Sequence, residues 1–143
     1  MSATKSDTPR LPAITLLDGG MGQELLKRSS QEITPLWSTQ VMIDEPEIVR
    51  DLHADFIRAG ARVISLNSYT MTPERLARDG NINDFQKLQL AAVNAATSAR
   101  DRVAIAGVKI AGCLPPLVAS YKAEVAPEYE AMLTSSTKIV ALQ

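Results

Sequence analysis

Cysteine, histidine and tryptophan each occur once in this 143-residue chain, and aromatic residues make up only 4% of it. A single cysteine, Cys113, excludes an internal disulfide and fits a reducing compartment. One cysteine and one histidine do not supply the three or four ligands of a zinc site. Neither sign of charge dominates. Fifteen Lys and Arg stand against 16 Asp and Glu, for a net charge of −1, so nucleic acid and anionic membrane have no electrostatic claim as partners. No apolar run approaches the roughly 18 residues of a spanning helix. The polar start has no apolar h-region and does not read as a secretory signal. Residues 1–12 are expected to form a disordered tail before one domain over residues 13–143, and the cytoplasm is the expected location.

Three strand–helix units are legible. The first strand, over residues 13–17, is apolar without alternation and should be buried on both sides. It ends on Asp18, followed by Gly19, Gly20 and Gly22 and a helix-forming stretch. A long connection over residues 27–44 contains Pro35-Leu36-Trp37-Ser38. A helix over residues 47–59 places Ile48, Leu52 and Phe56 on one face, widened by Val49 and Ile57. Asp44 with Glu47 suits its cap, Pro46 its first turn and Gly60 its end. The second strand, residues 62–66, runs into Asn67-Ser68-Tyr69-Thr70. A second, alanine-rich helix over residues 84–100 has a capping box in Asn83 and Gln86. The third strand lies within residues 103–111 and ends in Gly112-Cys113-Leu114-Pro115-Pro116. A third helix is expected over residues 127–142. This order argues for parallel strands with right-handed helical crossovers.

Each strand end carries a polar or glycine-rich cluster, and ligands of α/β proteins sit at the carboxyl ends of parallel strands. One shared site is therefore expected. Asp18 could bind an amino group or act as a base there; alternatively the amides of the following turn satisfy it. Gly19 and Gly20 would let backbone approach a ligand closely. The glycine spacing fits neither the dinucleotide fingerprint nor a phosphate-binding P-loop. Asn67, Tyr69 and Thr70 could hydrogen-bond a small polar ligand or be satisfied within a turn. Trp37 could wall a pocket or anchor packing. Cys113 has no second thiol beside it and reads as a small buried residue before a nucleophile or ligand. His53, between Asp51 and Asp55, reads as a solvated helix histidine.

Taken together, these segments resemble the homocysteine S-methyltransferase family. The residues that carry the likeness are Leu17-Asp18-Gly19-Gly20-Met21-Gly22-Gln23-Glu24-Leu25, Leu36-Trp37-Ser38, residues 47–61, Asn67-Ser68-Tyr69-Thr70, and Ala111-Gly112-Cys113-Leu114-Pro115-Pro116-Leu117. They look most like the short, stand-alone branch that uses S-methylmethionine or S-adenosylmethionine as methyl donor. The resemblance implies a (β/α)8 TIM-type barrel with zinc at the strand ends, activating the homocysteine thiol for methyl transfer to form methionine. It implies that Asp18 holds the homocysteine amino group, Gly19 and Gly20 give close approach, Asn67, Tyr69 and Thr70 line the pocket, and Trp37 borders it. It also implies that this chain is the N-terminal portion of the barrel, about three βα units. The family's zinc cysteines and its fourth-strand acid then fall after Gln143, so no catalytic or metal ligand is expected within the chain, and alone it should be inactive. The other expectation is a non-catalytic half-barrel that self-associates or pairs with a separately encoded second half.

Overall fold

The structure, a computed structural model, describes residues 14–115. The expected tail, the helix over residues 127–142, and Pro116 and Leu117 lie outside the described residues.

Three parallel chain segments lie side by side in sequence order. Leu17 bridges Val63 in parallel, and strand β1 (Val63–Ser65) pairs in parallel with β2 (Lys109–Ala111) in the register Val63–Lys109, Ile64–Ile110, Ser65–Ala111. The ladder continues past the strand bounds. Arg62 N–H donates to the Leu16 carbonyl at 2.8 Å, Asp18 N–H to Val63 at 3.0 Å, and Leu66 N–H to Ala111 at 3.0 Å. Neighbours in space are neighbours in sequence, as a singly wound sheet requires.

Among the described residues five α-helices accompany it: α1 (Met21–Arg28), α2 (Ser38–Asp44), α3 (Pro46–Arg58), α4 (Pro73–Asp79) and α5 (Phe85–Val103). The crossover helices α3 and α5 make the most extensive helix–helix contact. Its closeness follows from composition, because Ala92, Ala95, Ala96 and Ala99 of α5 are buried and let the backbones approach. Val49, Leu52 and Ile57 of α3 join Leu25, Leu36, Ile64, Met71 and Leu76 in one core.

Pro46 takes the first turn of α3 as expected, but Asp44 does not cap it. Asp44 is the last residue of α2, where its carboxylate accepts from Gln40 Nε2 at 2.7 Å. Glu45 occupies the cap position and turns its carboxylate to the hydroxyls of Ser29 and Ser30. These hydrogen bonds hold the Glu45 carboxyl below its ordinary range, the Ser29 hydroxyl most strongly. At the other end Gly60, with φ +113°, closes α3 in a Schellman motif. Ala61 N–H reaches the Phe56 carbonyl at 3.0 Å, and Gly60 N–H reaches Ile57 at 3.1 Å.

The Asn83–Gln86 capping box does not form. Asn81 instead accepts from Asn83 N–H at 3.0 Å and starts a 3₁₀ turn (Ile82–Asp84) that leads straight into α5. Helix α5 runs on to Val103, which leaves only Lys109–Ala111 for the third strand. The short helices α2 and α4 lie within stretches expected to be connections. Helix α4 has clear signals in retrospect: Thr72 accepts from Arg75 N–H at 3.1 Å, with Pro73 in the first turn.

Two burial expectations are corrected. The first strand is not buried on both sides: Ile14, Leu16 and Leu17 are 96%, 55% and 60% exposed, because nothing among the described residues pairs with its outer edge. His53 is not solvated but 0% exposed. It lies four residues from both Val49 and Ile57 and so on the buried face of α3, whereas its sequence neighbours Asp51 and Asp55 point elsewhere.

Candidate functional site

The strand ends meet, and Asp18 is where they are stitched together. Its backbone N–H pairs with Val63, while its carboxylate accepts from Ser65 N–H at 2.6 Å (Oδ2) and from Ser65 Oγ at 3.0 Å (Oδ1). The amides of the glycine turn do not satisfy it; the adjacent strand does. Each carboxylate oxygen keeps lone-pair capacity after these bonds. Ser65 was absent from the sequence-based candidates. The one signal was a small hydroxyl residue interrupting the apolar Val63-Ile64-Ser65-Leu66.

The third strand end lies beside the first two. The Cys113 thiol is half-buried and hydrogen-bonded to Ser68. Burial pushes its pKa up, and the Asp18 charge adds to this against the opposing Ser68 bond. The thiol form is therefore favoured over the thiolate, which agrees with reading Cys113 as a small buried residue.

The glycine turn reaches the Leu-Trp-Ser segment. A Cβ on Gly22 would sit 3.9 Å from the Ser38 side chain. A Cβ on Gly19 would meet the Phe56 ring at 3.0 Å, so close packing alone favours glycine there. A Cβ on Gly20 would meet nothing within 4 Å. Space is open at Gly20, on the face next to Asp18.

Trp37 is half-buried and caps α2 with φ 54° and ψ −126°. A non-glycine residue there is strained by about 1–3 kcal/mol. The carbonyls flanking it are both held. Thr70 Oγ1 donates to the Leu36 carbonyl at 3.1 Å, and Asn67 Nδ2 donates to the Ser38 carbonyl at 3.1 Å. Since the single Thr70 hydroxyl proton goes to Leu36, the Thr39 hydroxyl supplies the proton of the Thr39–Thr70 pair. Asn67 and Thr70 are thus buried, with these side-chain groups on backbone, whereas Tyr69 between them is 40% exposed. Gln89 of α5 anchors the same segment by donating to the Met71 carbonyl at 2.9 Å.

Asp18 and Cys113 thus sit within electrostatic reach of each other at the strand carboxyl ends, and Asn67 and Thr70 tie the second strand end to the Leu36–Ser38 segment that carries Trp37. A zinc ion does not fit the donors present. Among the described residues no three of His, Cys, Asp or Glu converge, and the one imidazole is buried in α3.

Residues 15–141 match the family described as Homocysteine S-methyltransferase. The chain belongs to the homocysteine S-methyltransferase family. Among curated homocysteine S-methyltransferases, that of Escherichia coli (strain K12) is 42% identical over 67 residues, which cover 47% of this chain and 22% of that protein. Homocysteine S-methyltransferase 1 of Arabidopsis thaliana is 33% identical over 88 residues, 61% of this chain and 27% of that protein. The fold matches the crystal structure of the homocysteine methyltransferase MmuM from Escherichia coli in its metallated form. The TM-score is 0.78 and the identity 30%, over 90% of this chain and 49% of that one. The chain thus spans about half the length of that solved homocysteine S-methyltransferase.

Proposed function

We propose that residues 13–143 are the opening βα units of a homocysteine S-methyltransferase (β/α)8 barrel, preceded by a tail over residues 1–12. In the whole barrel a methyl group passes from a sulfonium donor to the homocysteine thiol. The new C–S bond forms methionine, the donor C–S bond breaks with its electron pair left on the donor sulfur, and the thiol proton is released. S-methylmethionine or S-adenosylmethionine is the donor class, and the cytoplasm the location. The sequential strand order and the match to half of a solved family member support the barrel.

One observation carries the assignment of substrate: a carboxylate held in place at the strand ends beside an open glycine turn. Asp18 receives the homocysteine ammonium, and Gly19 and Gly20 give the amino-acid end a surface without side chains. Tyr69 and Trp37 border the rest, and Asn67 and Thr70 complete the pocket wall. In this reading this part of the chain binds and orients substrate, and the zinc expected in the family has no ligand set among the described residues.

Calorimetric titration of L-homocysteine into the chain tests this. Saturable binding is expected, weakened about 10-fold or more by Asp18→Asn, the equivalent of one charged hydrogen bond. Equal binding by wild type and Asp18→Asn, or none by wild type, would overturn the assignment. The second reading, a non-catalytic half-barrel that self-associates or pairs with another chain, is favoured by the exposed Leu16 and Leu17 on an unpaired edge. Methionine formation from S-methylmethionine by the chain alone, with zinc supplied, would exclude that reading.

A further inference from the structure

Asn67 and Thr70, placed in the pocket wall above, also bond to backbone across the site. We propose that Asn67 and Thr70 are positioning residues whose target is the backbone of Trp37. The direction in which the Trp37 Cα–Cβ bond leaves the chain is set by the conformation at residue 37, which lies in the region favoured by glycine, at φ 54° and ψ −126°. Nothing local to the sequence prefers that conformation for tryptophan. The segment holds it in part through its own backbone, Trp37 N–H on the Thr34 carbonyl at 2.9 Å and Gln40 N–H on the Trp37 carbonyl at 3.0 Å, and two side chains from outside add a hold on the residue before it and the residue after it.

The pins are independent of each other in chemistry and come from one segment. Thr70 holds the Leu36 carbonyl before the tryptophan, and Asn67 holds the Ser38 carbonyl after it. Both pins are buried, at 1% and 6% exposure, where water cannot compete for the carbonyls. The Thr39 hydroxyl fixes the Thr70 rotor so that its proton points at Leu36. The pins are themselves fixed: Gln89 holds Met71, and Met71 N–H returns to the Ser68 carbonyl at 3.0 Å. The second strand end is therefore a clamp, and its link to homocysteine, which rests on the pocket proposed above, runs through Trp37.

Trp37 is the only tryptophan in the chain, so its fluorescence reports on this residue alone. Thr70→Val removes one pin and keeps the shape; Asn67→Ala removes the other. In each variant the anisotropy decay should gain a fast nanosecond component absent from wild type. Emission should also move to longer wavelength, with a native far-ultraviolet circular dichroism spectrum. Thr70→Ser keeps the hydroxyl and should restore the wild-type decay. An unchanged decay in both folded variants, or a Thr70→Ser variant as loose as Thr70→Val, would overturn the clamp. Should Thr70→Val fail to fold, Asn67→Ala and Thr70→Ser decide the matter. Homocysteine added to wild type separates the two proposals. A Trp37 signal blind to homocysteine sinks the pocket, whereas the clamp stands or falls on the variants alone.

Discussion

Glycine at positions 19 and 20 serves two different ends, and the difference can be measured. At Gly19 a Cβ would collide with Phe56, so substitution there disturbs packing whatever the ligand. At Gly20 φ is −66° and no atom lies within 4 Å of a Cβ, so Gly20→Ala should change stability by less than about 1 kcal/mol. If homocysteine approaches this backbone, Gly20→Ala should nonetheless weaken its binding several-fold in the same titration. Unaltered affinity would remove Gly20 from the pocket. His53 makes a second residue-scale case. Both ring nitrogens are buried without a hydrogen-bond partner, and burial lowers its pKa from 6.5 to about 4. The unfolded chain takes up this proton near pH 6.5, the folded one near pH 4. Stability through His53 is therefore constant above pH 6.5 and falls as pH drops from 6.5 toward 4. The full loss is about 3 kcal/mol. Urea unfolding at pH 7.5 and pH 4.5 should show a fall in wild type that His53→Leu lacks. Parallel pH dependence in the two proteins would mean that the imidazole titrates normally.

Among elements, the long periodic helices were the most legible and their ends the least. The spacing of Ile48, Leu52 and Phe56, widened by Val49 and Ile57, and the alanines of α5 mark the two crossover helices in the sequence, because burial on one face leaves a 3.6-residue period; in the structure the buried centre of the α3 face is Val49, Leu52 and Ile57, with Ile48 and Phe56 at its margins. Cap chemistry is less readable, since several acceptors compete for each helix start. Asp44 was taken by α2 and Asn83 by the turn that Asn81 begins. The short α2 and α4 have too few turns to show a period. The same limit applies to the site. Asp18 and its glycines were visible because an acid ending an apolar run is conspicuous, whereas Ser65 and the Leu36 and Ser38 carbonyls are partners 47, 34 and 29 residues away in sequence from Asp18, Thr70 and Asn67. No local pattern encodes those pairings. Gly60 shows how a legible signal converts to energy. Its Cβ would have ordinary room, 3.6 Å from Leu16 Cδ2, so the penalty of Gly60→Ala is conformational, arising from φ +113°. A loss of about 1–2 kcal/mol is expected in denaturant unfolding. A neutral outcome would mean that the turn after α3 relaxes, and with it the register of Arg62 on Leu16.

For the molecule as a whole, the sheet is the incomplete part. Strand β1 has a partner on each side, but the Leu17 segment and β2 each have one among the described residues. The open segment is apolar: Ile14, Leu16 and Leu17 stand in solvent on a strand with unpaired backbone groups. Such an edge is a template for another strand. The closure supplied by a full barrel would bury it, and this chain spans 49% of a solved homocysteine methyltransferase. In isolation the chain should therefore associate. Sedimentation velocity should show species beyond monomer that grow with concentration. Leu17 is 60% exposed, so a lysine there should leave folding nearly unchanged, within about 0.5 kcal/mol. Leu17→Lys should nevertheless shift the distribution toward monomer, since a charge on an open strand opposes edge-to-edge pairing. If wild type sediments as a cooperatively unfolding monomer at every concentration, the open edge is covered from within the chain, and the half-barrel reading fails at its physical premise.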